Sequence, residues 1–150
     1  MKKDQAAWRR GEYVITTDKS PLDRTFIHAF LSRSTWAKGI SRERLDAAID
    51  NSLCFGLYKG SEQIGLTRRV TDFATFGYLC DVFIIEHHQG QGLARWMMNC
   101  CLEHPTLTQL RRIMLVTSTA AGLYEKVGYM PVNTDNFVWQ INRPEIYQQS

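Results

Sequence analysis

The sequence predicts a single α/β domain spanning residues 1–150, with a mixed sheet that is antiparallel in its middle and covered by helices. Three observations predict it. Strand-like alternation and helical periodicity take turns along the chain. Three strand-like runs follow one another between residues 53 and 85 with only short turns between them. A strand, two glycines and a helix then meet at residues 84–95. Strands joined by short turns run antiparallel, and a sheet with one face or both apolar needs helices on it.

Taken in order, Tyr13 to Thr17 alternates as a first strand after a polar start. Ser20-Pro21-Leu22-Asp23 reads as a helix start, with Ser20 as cap and Pro21 at the first helical position. Phe26, Ile27, Phe30 and Leu31 form that helix's apolar stripe. Residues 32–39 read as a loop, and a second helix begins near Ser41, with Leu45, Ala48 and Ile49 on one face. Leu53 to Tyr58, Gln63 to Thr71 and Phe76 to Ile85 are strands, the last one long and central. After Gly92, the series Leu93, Trp96, Met97, Cys100 and His104 has helical spacing, and Pro105 ends it. Arg112 to Thr117 is a buried strand. Ala120 to Val127 is a short helix stopped by Gly128, and Phe137 to Ile141 alternates as a last strand. The expected order is β-α-α-β-β-β-α-β-α-β.

Bulk properties narrow the class. The 150 residues suit one core, and 44% apolar with 22% charged residues is an ordinary soluble composition. A net charge of +3, from 18 basic and 15 acidic residues, gives no argument for nucleic acid or membrane partners. No apolar run is long enough to span a bilayer, and the start lacks a signal peptide's apolar stretch, so a cytoplasmic location is expected. Cys54, Cys80, Cys100 and Cys101 lack C-x-x-C spacing and read as reduced, mostly buried thiols. No His or carboxylate cluster has metal-ligand spacing, and no metal is expected.

The segment most charged with chemistry is Ile84-Ile85-Glu86-His87-His88-Gln89-Gly90-Gln91-Gly92-Leu93-Ala94-Arg95. A helix N-terminus offers unpaired N–H groups and partial positive charge, which suit phosphate oxygens. Gly90 and Gly92 keep side chains clear, Ala94 lets the helix pack closely, and Arg95 could add a charge-assisted contact. The spacing is neither G-x-x-x-x-G-K-[ST] nor G-x-G-x-x-G. It is Gln89-x-x-Gly92-x-Ala94, which resembles the (Q/R)-x-x-G-x-(G/A) pyrophosphate loop of GNAT (GCN5-related) N-acetyltransferases. Downstream, Thr117 to Tyr129 resembles that family's N-x-x-A-x-x-L-Y-x-x-x-G-[FY]: Ala120, Leu123, Tyr124, Gly128 and Tyr129 match, and Thr117 stands where Asn is usual.

The resemblance implies the single-domain GNAT fold, a mixed and mostly antiparallel sheet flanked by helices. It implies acetyl-CoA as co-substrate, lying where the central strand splays from its neighbour. Pantetheine would run along the backbones of Val82, Phe83 and Ile84, and the diphosphate would meet Gln89, Gly90, Gln91, Gly92, Leu93, Ala94 and Arg95, with Thr117 nearby. Tyr124 would protonate the departing thiolate. Tyr78-Leu79-Cys80-Asp81-Val82-Phe83-Ile84 is similar to the Y-L-E-D-F-F-V of polyamine acetyltransferases, with Cys80 in place of Glu. Asp81 then binds the substrate ammonium, acts as a base through water, or satisfies a buried partner. Strand alternation expects Cys80 and Asp81 on opposite faces. Trp36 either lines the acceptor pocket or anchors the core. Arg68 and Arg69 point to opposite faces, and one of them could hold an acceptor carboxylate. The acceptor pocket is thus expected among Trp36, Arg68, Tyr78 and Cys80.

The expected function is transfer of an acetyl group to a primary amine of a small molecule, by direct attack. A non-catalytic acyl-CoA sensor is the alternative reading, and a phosphate-loop nucleotide binder lacks the lysine and acidic metal ligand it would need. Nucleic acid and membrane partners are not expected. The last strand could pair two copies into a homodimer, as members of the family often do.

Overall fold

The computed structural model describes residues 5–148. One sheet carries six strands in sequence order. They are β1 (Ala7–Arg10), β2 (Tyr13–Thr16), β3 (Leu53–Lys59), β4 (Glu62–Thr71), β5 (Phe76–Ile84) and β6 (Arg112–Met114). Every neighbouring pair is antiparallel except β5 and β6, which are parallel. The helices are α1 (Arg24–Leu31), α2 (Arg42–Asp50), α3 (Leu93–Glu103) and α4 (Ala121–Lys126).

Alternation along the strands divides the apolar residues between two faces. Cys54, Leu66 and Phe83 pack against Ile27, Leu31, Leu45 and Ile49 of α1 and α2. Leu53, Phe55, Leu57, Ile64 and Leu79 pack against Leu93, Met97, Cys100 and Cys101 of α3 and Tyr124 of α4. Each fully buried Leu or Ile contributes roughly 1.5–3 kcal/mol of transfer free energy, so the two cores clamp the sheet from both sides. The second helix begins where expected, and Ser41 caps it, its side chain accepting from the Arg44 amide at 3.1 Å.

Three expectations are corrected. The polar start hides a strand: β1 pairs with β2 from Ala7↔Thr16 to Arg10↔Tyr13. Trp8 anchors it by donating its indole N–H to Glu103 at 3.0 Å, at the end of α3. The cap of α1 is Asp23, which accepts from the Phe26 amide at 3.0 Å, while Ser20 donates its hydroxyl to Asp18 at 2.6 Å. A carboxylate is at least as good a cap as a hydroxyl, and the Asp18–Ser20 pair forms a separate local turn. Finally, residues 137–141 form no strand. Phe137, Val138, Trp139 and Ile141 are 53–82% exposed. Alternation describes a segment that fits a sheet once a partner edge and a core face exist; among the described residues no strand pairs with it and its apolar side chains stay exposed. The order of elements is therefore β-β-α-α-β-β-β-α-β-α.

Candidate active site

The pairing of β5 with β6 runs only from Phe76↔Arg112 to Tyr78↔Met114. Beyond Tyr78 the two strands separate, and β5 continues to Ile84 with no strand partner on that edge among the described residues. On its other edge β5 carries a bulge. Leu66 opposes Phe83 and Arg68 opposes Cys80, so Asp81 and Val82 together face the single residue Thr67. Asp81 takes φ +49°, a left-handed conformation uncommon outside glycine.

At the end of β5 a 3-10 turn, Glu86–His88, leads into the glycine loop. The Gln89 side chain donates to the Ile84 carbonyl at 2.7 Å, tying the loop to the strand end. Gly90 and Gly92 have φ of +80° and +76°. The first bond of α3 runs from the Trp96 amide to the Gly92 carbonyl at 3.0 Å. The amides of Leu93, Ala94 and Arg95 therefore lie ahead of the helical ladder, at its positive end.

Two adjoining cavities flank the separated strands. The first, about 660 Å³, runs from the glycine loop along Val82, Phe83 and Ile84 to Tyr124. The second, about 600 Å³, lies over Arg68, Tyr78, Cys80 and Asp81. Trp36, Val82, Thr119, Ala120 and Tyr124 border both. Tyr124 is thus at their junction, and burial pushes its phenol above the ordinary range. In the second cavity Asp81 uses both oxygens: one accepts from Arg68 Nε at 2.8 Å and the other from the Trp36 indole at 2.8 Å. The Arg68 and Asp81 side chains are only 14% and 8% exposed. Burial acts against the Arg68 charge, but Asp81 outweighs it, and the guanidinium is held more firmly protonated than usual.

Comparison with known proteins shows the family of this domain. The profile of the acetyltransferase (GNAT) domain matches residues 50–131, over half of the chain. The chain belongs to the GNAT acetyltransferase family. A Gibberella zeae protein that bears an acetyltransferase name is 37% identical over 140 residues, covering 79% of each chain. A crystal structure from Xanthomonas campestris pv. campestris, of a protein assigned to the GNAT family, superposes with a TM-score of 0.88 at 38% identity, covering 93% of this chain and 99% of that one. A spermidine N-acetyltransferase of Vibrio cholerae, solved with CoA and spermine, shares the fold at 21% identity and TM-score 0.61, covering 79% of this chain and 81% of its own.

This GNAT domain, an acyl-CoA-dependent N-acetyltransferase by family, brings most of the expected site residues together. Val82, Phe83, Ile84, Gln89, Gly90, Gly92, Leu93, Ala94 and Arg95 border the loop cavity. Gln91 does not: its side chain accepts from the Tyr13 hydroxyl at 3.2 Å and turns toward β2. Thr117 borders the second cavity, where its hydroxyl accepts from the amides of Ala120 at 3.0 Å and Thr119 at 3.4 Å. It shapes the turn into α4. Cys80 and Asp81 both border the second cavity, which corrects the opposite-face expectation. The bulge interrupts alternation at that point. Trp36 is 51% exposed and so anchors no core.

Other residues at the site left little mark in the sequence. Phe30 borders the loop cavity and stacks on Phe83 at 3.9 Å between centroids; it looked like part of α1's buried stripe. Arg10 brings its guanidinium to 3.8 Å from where a Gly92 Cβ would stand. It does so because β1 exists, and no alternation long enough to announce β1 precedes Tyr13.

Proposed function

We propose that this enzyme moves the acetyl group of acetyl-CoA to a primary amine of a small molecule, by direct attack. The observation that carries the reading is the position of Tyr124 at the junction of the two cavities. The glycine loop and the amides of residues 93–95 would take the diphosphate, as helix starts take anions. The free edge of β5 would pair with pantetheine, and a β5 amide would hold the thioester oxygen as charge builds on it. The amine would enter from the Arg68–Asp81 side. The nitrogen attacks the carbonyl carbon, the C–S bond breaks, and sulfur takes the Tyr124 proton.

An alkyl ammonium is only about 0.04% neutral at pH 7, which costs roughly 4–5 kcal/mol unless the site helps. Asp81 already accepts from Arg68 and Trp36, so a structural role fits it better than that of a free base. The same pairing leaves the second cavity without a free acidic cluster. That supports a small monoamine over a polycation.

Thiol release from acetyl-CoA with an amine panel tests the activity, and Tyr124→Phe tests the acid. Turnover should fall at least about a hundredfold, within the usual reach of acid–base catalysis, with CoA affinity nearly unchanged. Wild-type turnover in the Phe variant would end Tyr124's part, and CoA binding without turnover on any amine would favour the sensor. The bare Phe137–Ile141 segment supports a homodimer in which a second copy covers it, and a monomeric mass in sedimentation would reject that. Four free thiols, and no helix among the described residues long and apolar enough to cross a membrane, fit the cytoplasm. Finding fewer than four free thiols in protein isolated under thiol-blocking conditions would argue against that compartment.

A further inference from the structure

Arg69 is fully buried, and among the described residues it forms no ion pair. One terminal nitrogen donates to the Thr67 hydroxyl at 3.0 Å and the other approaches Met98 Sδ at 3.9 Å, while Nε has no partner. The neighbouring Arg68, on the opposite face, has its carboxylate. A guanidinium does not shed its proton in a protein, so burying it without a counter-charge is costly. Arg69 points from β4 toward α3, on the face that also holds Tyr124. Nearby, the Tyr129 hydroxyl is buried without a partner, and the Tyr129 ring lies edge-on to Tyr124 at 5.7 Å.

A permanent cation in such a setting favours any neighbour that becomes an anion. Its field reaches Tyr124, Tyr129, Cys101 and Cys80, opposing in each the effect of burial. Cys101 is sealed in the core, as is the Tyr129 hydroxyl, and Cys80 has Arg68 as its stronger cation. Tyr124 borders both cavities. The other charged or titratable groups bordering those cavities are Arg95, His88, Tyr78, Cys80, Tyr147 and the mutually paired Arg68 and Asp81.

We propose that Arg69 is a positioning residue for proton transfer: its buried guanidinium stabilises the phenolate left on Tyr124 when that phenol protonates the departing thiolate. The role rests on the acid function given to Tyr124 above. Sulfur takes the phenolic proton as the C–S bond breaks, and the proton shed by the acylated nitrogen returns to the phenolate through solvent in the second cavity. No net charge is created over the cycle. Arg69 lowers the energy of the step in which a buried oxygen is negative.

The test is a 13C NMR titration of the tyrosine ring carbons in wild type, Arg69→Gln and Arg69→Lys, with Tyr124→Phe used to assign the resonance. In Arg69→Gln the Tyr124 titration should move up by roughly one pH unit, the order of shift that removing a nearby buried unit charge produces. Turnover should fall about tenfold while KM for acetyl-CoA stays within about twofold. If Arg69→Gln fails to fold, Arg69→Lys carries the test alone. A buried, unpaired lysine loses its proton at depressed pH, so kcat must then fall on the alkaline side where the wild-type enzyme's does not. An unmoved Tyr124 titration in Arg69→Gln, or a wild-type pH profile in Arg69→Lys, overturns the proposal. The titration reads the coupling whether or not Tyr124 is the acid, and turnover of Tyr124→Phe decides the acid role separately.

Discussion

Replacing Asp81 by Asn separates a structural carboxylate from a catalytic one. Asn keeps the size of the side chain and tolerates the φ of +49° at the bulge, so the backbone is not what changes. One oxygen still accepts from Trp36, but an amide N–H now faces the Arg68 Nε–H that Oδ2 accepts at 2.8 Å. Two unit charges about 4 Å apart at an effective dielectric constant of about 20 attract by about 4 kcal/mol. Breaking a buried pair from one side costs about 3–5 kcal/mol, because the remaining charge stays buried. With 14% and 8% exposure, a loss of about 3 kcal/mol is expected. In a domain of this length that is a fall in Tm of roughly 6–12 °C. Removing the second charge as well, in Asp81→Asn/Arg68→Met, should restore most of the stability, since apolar residues replace buried pairs at little cost. Urea unfolding and calorimetry measure the first quantity, and thiol release measures turnover. If Asp81 holds the site together, activity returns with stability in the double variant. A single variant that melts within about 2 °C of wild type, yet turns over a hundredfold more slowly, would refute this reasoning and make Asp81 the base.

Two further outcomes follow from the loop and the core. In Gly92→Ala the new Cβ meets nothing closer than Arg10 at 3.8 Å, but φ is +76°, so about 1–2 kcal/mol of left-handed strain is expected. Calorimetric CoA affinity should drop about tenfold, whereas Gly60→Ala, with φ +60° and equally open space, should show the strain without the affinity loss. Equal CoA binding in both variants would remove the loop from phosphate recognition. Burial, then Cys101 and Glu103, push the Cys100 thiol from 9.0 up to about 12. The folded state therefore keeps a proton that the unfolded state releases, and its stability is full below about pH 9 and lost as pH rises toward 12. Between pH 8 and pH 10 the Cys100 contribution to the loss is about 1 kcal/mol; Cys100→Ala should flatten the urea-midpoint slope, and an unchanged slope would contradict the shift.

The parts of the fold that were legible in the sequence are those where local chemistry decides. Gly90 and Gly92 are needed for positive φ, and they sit where a strand meets a helix. Leu93, Met97 and Cys100 recur at helical spacing because one face is buried. The consecutive strands β3, β4 and β5 alternate because each serves two cores. What stayed hidden depends on partners distant in sequence. Four residues of β1, three of them charged or amphipathic, become a strand only because β2 and Glu103 receive them. Residues 137–141 have the right alternation, but no strand among the described residues pairs with them.

The bulge at Asp81 shows why a site can be misread inside a correctly read strand. Period-two reasoning assigns Cys80 and Asp81 to opposite faces, and it holds on β4, where Arg68 turns to Asp81 and Arg69 to Met98. One extra residue on β5 breaks the period at the point where the strand edge opens toward the two cavities. The left-handed backbone there is held by Arg68 and Trp36 gripping the Asp81 carboxylate. The extra residue at the bulge is thus Asp81 itself, the one carboxylate that borders the second cavity among the described residues. With both Asp81 oxygens engaged, the proposed reaction sends the proton of the incoming amine to solvent in that cavity, and under the same proposal Tyr124, with Arg69 behind it, supplies the proton that sulfur takes.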